Sequence, residues 1–166
     1  CGTGIWTREL VSLGQSITAI DASSNVLAIN QSRLSHRSIK FLQEDLFSWE
    51  PDREFDMVFC SFWISHIVPD SLPLFLGKVA RATRPGGEGF MIDSRYDETV
   101  TLNDHPKTHP EKTLQTRELN DGSCFRIVKV FYEKEALLKL FASAGLQARV
   151  HRTSRYFYWV VATRMP

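Results

Sequence analysis

Residues 1–10 read CGTGIWTREL, and ITAIDAS follows at 17–23. The reading of these two stretches decides the fold. Gly2 and Gly4 stand directly before a helical pattern, IWTRELVSL at 5–13, which Gly14 stops. Glycine permits the tight turn and lets a ligand touch the backbone, while a helix start offers unpaired N–H groups. Alone, such a turn equally describes an ordinary strand–helix junction. The spacing to Asp21 strengthens it. SITAI at 16–20 reads as a buried strand, and an acid at its carboxyl end can accept hydrogen bonds from both hydroxyls of a ribose. A dinucleotide fingerprint would need a third small residue at position 7, where this chain has Thr7.

Outward from that turn, short apolar runs alternate with helical stretches, the pattern of a parallel α/β sheet. Ser23 or Ser24 can cap a helix through about Leu34, with Val26, Leu27 and Ile29 or Asn30 on its inner side. Strands follow at 39–43 (IKFLQ) and 55–61 (FDMVFCS), separated by a polar loop containing Pro51. A helix at 71–84 is expected to end in the turn Pro85-Gly86-Gly87, and EGFMID at 88–93 reads as the next strand. The rhythm then breaks. Residues 94–112 are polar and read as a loop or lid, and two strands, 113–119 and 123–131, flank Asn120-Asp121-Gly122. A three-residue turn with left-handed Gly122 fits this hairpin. A helix at 133–144 stops at Gly145, and strands at about 146–152 and 156–163 close the chain. Alternation in RYFYW (155–159) puts Tyr156 and Tyr158 on one face and Phe157 and Trp159 on the other, as in a strand buried on both sides. No repeat or low-complexity segment interrupts 1–166, which reads as one domain carrying a lid and hairpin insertion at 94–131.

The 166 residues are 43% hydrophobic and 23% charged, with a formal net charge of +1. This is the composition of a globular domain large enough to bury a core. The near-neutral balance lacks the cationic footprint of a nucleic-acid binder. No window approaches the roughly 18 apolar residues of a membrane span. Cys1, Cys60 and Cys124 are odd in number and widely spaced, which suggests reduced thiols and neither a disulfide framework nor a zinc site, so a cytoplasmic location is expected. His105 and His109 are four apart, but Pro106 and Pro110 disfavour a metal-binding helix face, and no metal is expected.

Further acids and turns extend the constellation. Glu44-Asp45-Leu46 ends the third strand region, where a carboxylate can receive an adenine amino group while Leu46 and Phe47 pack on the ring; a solvated acid pair is the alternative. Ser61-Phe62-Trp63 leaves the most hydrophobic strand at its carboxyl end, where open α/β sheets place ligands. In this order and spacing, CGTGIWTREL, ITAIDAS, FLQEDLFSW, FDMVFCSFWISHI and VARATRPGG resemble the successive motifs of class I S-adenosylmethionine-dependent methyltransferases. The resemblance implies a Rossmann-like seven-stranded sheet in the order 3-2-1-4-5-7-6, with the last strand antiparallel. It places Gly2 and Gly4 along the methionine and ribose of the cofactor, with Thr3, Trp6, Ala22 and Ser23 beside them. Asp21 would take the ribose diol, Asp45 and Leu46 the adenine, and Ser61 and Phe62 the amino-acid end. The product would be S-adenosylhomocysteine.

A narrower resemblance, carried by FLQEDLFSWEPDREFDMVF, SFWISHI and LNDGSCFRIVKVF, is to phosphonate O-methyltransferases of the kind found in dehydrophos biosynthesis. It implies that a hairpin supplies cations to an anionic small molecule, at Arg117 and Lys129. The pattern itself puts Arg117, Phe125 and Lys129 on one side of the hairpin, where two cations could clamp anionic oxygens or simply solubilise an exposed hairpin. Trp63 and His66 would line the acceptor cleft, His66 as general base or as a positioning wall residue. The expected reaction is O-methylation, with N-methylation less favoured, by a monomer or homodimer. A nicotinamide-dependent oxidoreductase and a non-catalytic methyltransferase-like binding module are the alternatives. The family's first, central strand would lie before Cys1, so the stretch in hand is expected to be part of a longer protein. By itself it should then bind the cofactor poorly, an expectation that micromolar binding by residues 1–166 alone would refute.

Overall fold

The computed structural model describes residues 1–34, 39–98 and 109–165. They fall into two compact units, Cys1–Glu50 and Pro51–Pro166. In the first unit the glycine turn leads into α1 (Ile5–Leu10), then β1 (Ile17–Asp21), α2 (Ser24–Arg33) and β2 (Ile39–Gln43). β1 and β2 run parallel, with Asp21 opposite Gln43. Ser23 caps α2, its hydroxyl accepting from the Val26 N–H at 3.3 Å, which satisfies one of the helix's orphan donors. The inward positions of α2 are Leu27 and Asn30, while Ile29 is exposed. α1 ends at Leu10, short of the expected Leu13, which is exposed; the Gly14 N–H returns to the Leu10 carbonyl at 3.2 Å.

The second unit contains β3 (Phe55–Ser61), α3 (Leu72–Ala82), β4 (Thr83–Ser94), β5 (Leu114–Glu118), β6 (Cys124–Val128), α4 (Lys134–Ser143), β7 (Leu146–Arg152) and β8 (Phe157–Arg164). Its main sheet has the order β3-β4-β8-β7. β3 and β4 are parallel, and β8 is antiparallel to both neighbours. The apolar positions of α3 repeat at helical spacing, so Leu72, Phe75, Leu76, Val79 and Ala82 are buried together with Leu137 and Phe141 of α4. Each such side chain contributes about 1.5–3 kcal/mol, which makes this layer the main source of the unit's stability.

Two expectations change. The turn at 85–87 does not separate helix from strand. β4 begins directly after α3, and the turn is a bulge within it: Phe55 pairs with Thr83, but Met57 pairs with Glu88. Gly86 takes φ 73° there, and a Cβ on Gly87 would come within 2.9 Å of the Arg84 carbonyl. Bulges admit extra residues where proline and glycine suit the local geometry. β8, in turn, is sealed on one face only: Tyr158, Val160 and Ala162 are buried, whereas the alternate residues are partly covered. The hairpin follows the expected register, Arg117 opposite Phe125, and Gly122 has φ 82°. The lid expected at 94–112 falls mainly on residues 99–108, which lie outside the described residues, as does His105.

Candidate functional site

The glycine turn of the first unit is held by Asp21 and Asn30. Asp21 Oδ2 accepts from the Gly2 N–H at 2.9 Å and the Cys1 nitrogen at 3.2 Å, and Oδ1 accepts from the Ser23 N–H at 3.1 Å. A carboxylate offers about four lone-pair sites, so Oδ1 keeps capacity for a ligand hydroxyl. Burial pushes the Asp21 pKa up, but the Ser23 and Gly2 N–H groups, together with the charged nitrogen of Cys1, hold the carboxyl below its ordinary value. Asn30, fully buried, donates from Nδ2 to the Gly2 carbonyl at 3.1 Å and to Thr7 Oγ1 at 3.2 Å. Gly4 has φ 95°, and a Cβ there would stand 2.5 Å from Asn30 Oδ1. Arg33 fixes Thr3, donating to its carbonyl at 2.8 Å.

Beside the turn, the Glu44 N–H donates to the Asp21 carbonyl at 3.1 Å, bringing the ends of β1 and β2 together. Asp45 is exposed, and its Oδ1 accepts from the Phe47 N–H at 2.9 Å, which sets the turn carrying Leu46 and Phe47. Gly2, Gly4, Asp21, Ala22, Ser23, Asp45 and Leu46 therefore share one unit, and the Gln43 side chain reaches the Ala22 carbonyl at 3.4 Å. Trp6 lies partly exposed on α1.

In the second unit, Ser61 ends β3 and Phe62 follows with φ 50°, the single positive-φ non-glycine among the described residues. A bulky side chain there marks local strain. The Phe62 N–H bonds the Ile92 carbonyl at 2.8 Å, and its ring meets Phe157 edge-on at 5.7 Å. Trp63 packs edge-on against Phe75. The chain then makes a 3-10 turn, Ile64–His66, which is tied to the segment leaving the hairpin. His66 Nδ1 lies 2.7 Å from the Val128 carbonyl, and the Val130 N–H donates to the Ser65 carbonyl at 2.8 Å. A carbonyl only accepts, so Nδ1 carries the proton and the neutral ring presents Nε2 as acceptor.

Lys129 lies between these two anchors and is turned inward. Its ammonium donates to Ser94 Oγ at 2.6 Å, Ser65 Oγ at 2.8 Å and Asp93 Oδ1 at 3.2 Å. Those three contacts account for all three of its protons. Asp93 is fully buried and also accepts from the Ser65 N–H at 3.0 Å and the Ser94 N–H at 2.8 Å. Burial lowers the Lys129 pKa, Asp93 opposes that, and the nearby Arg117 charge lowers it further. The hydroxyls of Tyr132 and Tyr158 are buried without a hydrogen-bond partner among the described residues. Burial, reinforced by Asp93, pushes the Tyr132 phenol up to about 12 and Tyr158 up as well. Burial also drives the Cys60 thiol up to about 12, so it is no nucleophile.

His66 is held neutral: burial is the largest influence lowering its pKa, followed by the Lys129 charge, with Val128 and Asp93 opposing and Arg117 adding to the depression. The folded value lies below the ordinary 6.5, so the unfolded chain takes up the proton first as pH falls. The stability this contributes is present above about 6.5 and is lost as pH drops through the folded value. The thermal midpoint should therefore fall more steeply between about pH 7.5 and 5 in the parent than in His66→Gln. Parallel curves would contradict the depressed pKa.

The hairpin expectation needs one adjustment. Arg117 is partly buried and its charge is felt at both His66 and Lys129. Lys129, however, spends its donors on protein acceptors, which alters its share in an anion clamp. Asn30, Ser65, Asp93, Tyr132 and Tyr158 were not singled out as site residues by sequence reasoning. Asp93 carries a usable signal, since it is an acid at the carboxyl end of a buried strand, as Asp21 is. Among the described residues no group of three or more His, Cys, Asp or Glu could hold a metal ion. No helix is long and apolar enough to cross a membrane, again among the described residues.

A parallel α/β core, a glycine turn latched to a strand-end acid, and polar groups gathered after β3 and β4 define a Rossmann-like nucleotide-cofactor fold of the methyltransferase class. Residues 1–87 match the methyltransferase domain family, and the chain belongs to that family of S-adenosylmethionine-dependent proteins. It is 29% identical over 103 residues to a probable thiol methyltransferase 2 of Arabidopsis thaliana, covering 57% of this chain and 46% of that protein. A structure of DhpI with SAH superposes with TM-score 0.82 at 32% identity, covering 99% of this chain and 74% of DhpI. A DhpI complex with SAM and HEP gives TM-score 0.82 and 32% identity, covering 97% and 74%. The chain spans less than half the length of the curated relatives it matches.

Proposed function

We propose that this domain methylates an oxygen of a small acidic molecule, using S-adenosylmethionine. The residues present suit that cofactor: the turn at Gly2 is open, Asp21 Oδ1 retains acceptor capacity, and Asp45 with Leu46 offers an acidic and apolar surface. When bound, the cofactor supplies an electrophilic methyl; its sulfur–methyl bond breaks as the oxygen–methyl bond forms, and S-adenosylhomocysteine leaves. Such a displacement needs alignment and exclusion of water more than covalent help from the protein. An ionised acid has no proton to surrender, so neutral His66 has a positioning role, with Nε2 accepting from a hydroxyl of the acceptor. The observation that carries this reading is the cluster after β3, where the hairpin sets Lys129 against Ser65 and His66 against Val128, with Arg117 on the same side of the hairpin as Lys129. The likeness to DhpI in its complex with SAM and HEP supports it.

In the full-length protein, Arg117→Ala should raise KM for an organic acid about tenfold or more and change kcat less, as expected for a group that binds rather than reacts. An unchanged KM would remove Arg117 from the acceptor site.

A further inference from the structure

We propose that Asp93 determines acceptor specificity by cancelling the charge of Lys129. The inference rests on the acidic-acceptor reading above. The sequence presents Lys129 as a cation leaving the hairpin, but the structure buries it to 7% exposure and sets it 3.2 Å from Asp93, itself at 0%. Both hydroxyls that complete its coordination, Ser65 and Ser94, are neutral. A carboxylate and an ammonium held this closely, away from water, act on a ligand as a dipole and not as two independent charges. The wall beside His66, where Lys129 reaches Ser65 of the 3-10 turn, is thus electrically balanced and rich in hydrogen-bonding groups. It favours an acceptor with one negative charge over one with two, because the second charge would meet no uncompensated cation at Lys129. Asp93 also fixes the 3-10 turn through the Ser65 N–H, so it sets both the charge and the position of this wall.

The test separates this role from a purely structural one. Full-length parent, Asp93→Asn and Asp93→Asn/Lys129→Met are titrated with benzoate, singly charged, and phenylphosphonate, doubly charged at a pH of about 8. Binding is measured calorimetrically in the presence of S-adenosylhomocysteine, and methyl transfer is followed in parallel. Asp93→Asn should shift the binding ratio toward phenylphosphonate about tenfold. The double variant, which removes the pair together and leaves no buried charge stranded, should keep the parent ratio within about threefold. A ratio unchanged in Asp93→Asn, or a tenfold fall in phenylphosphonate binding relative to benzoate in the double variant, would overturn the inference; the latter would make Lys129 an independent clamp. If Asp93→Asn does not fold, the double variant decides alone. Acid binding with the expected ratios but no methyl transfer would refute the catalytic reading and leave the charge balance standing. No binding of either acid to any of the proteins would overturn both.

Discussion

Replacing Lys129 with methionine is expected to lower the stability of the second unit by about 3–5 kcal/mol. The substitution preserves much of the side-chain volume but leaves the Asp93 carboxylate fully buried without its counter-charge. It also removes the donor from Ser65 Oγ and Ser94 Oγ. A carboxylate left alone in the interior costs far more than a surface ion pair contributes. The double variant Asp93→Asn/Lys129→Met should recover most of the loss, because the buried charges leave together. Equilibrium unfolding in denaturant reads both. A single variant within about 1 kcal/mol of the parent would mean that the pair is solvated or relaxes readily, and the balanced wall would lose its basis.

Gly4→Ala is the second large effect, at about 2–4 kcal/mol, and it acts on the cofactor side. Two penalties add: a non-glycine residue at φ 95°, and a Cβ placed 2.5 Å from Asn30 Oδ1. Asn30 cannot yield cheaply, since its Nδ2 is committed to Gly2 and Thr7. The turn must open, and the Gly2 N–H contact with Asp21 opens with it. Cofactor affinity should therefore fall along with stability, by at least about tenfold in a calorimetric titration of the full-length protein. Gly2→Ala tests the geometry separately. Gly2 has φ 61°, but a Cβ there would meet no atom within 4 Å, so backbone strain is the sole penalty and its cost should be the smaller. Equal losses at the two positions would contradict the contact between Gly4 and Asn30.

The turn, the strand-end acid and the alternation of strands and helices were legible because each depends on local chemistry. Gly2, Gly4 and Asp21 announce themselves by φ freedom, charge and spacing. Ser23 does so as a helix cap that the structure retains. Legibility ended where the third dimension decides. Alternation correctly pairs Arg117 with Phe125 while both lie within the hairpin. β6 ends at Val128, but Lys129 keeps the register, its N–H donating to the Thr113 carbonyl at 2.8 Å on the side of Arg117 and Phe125. Alternation does not reveal that Phe125 stays exposed while Lys129 is buried. Its partner Asp93 lies 36 residues away, beyond the reach of any local pattern. Asn30 was similarly hidden: a polar residue on the inner face of a helix reveals its purpose only when the glycine turn is packed against it. The bulge at 85–87 shows a different limit. Proline and glycine mark a change of direction, but whether it ends a strand or kinks one depends on the register with β3.

Methyl transfer itself tests the central claim most directly. Full-length protein is incubated with methyl-labelled S-adenosylmethionine and a panel of phosphonates, carboxylates, phenols and amines, with and without Arg117→Ala. The predicted result is label in an ester of one or more acids, strongly reduced by the substitution. Label found only in neutral amines or phenols, at equal rates in both proteins, would contradict it.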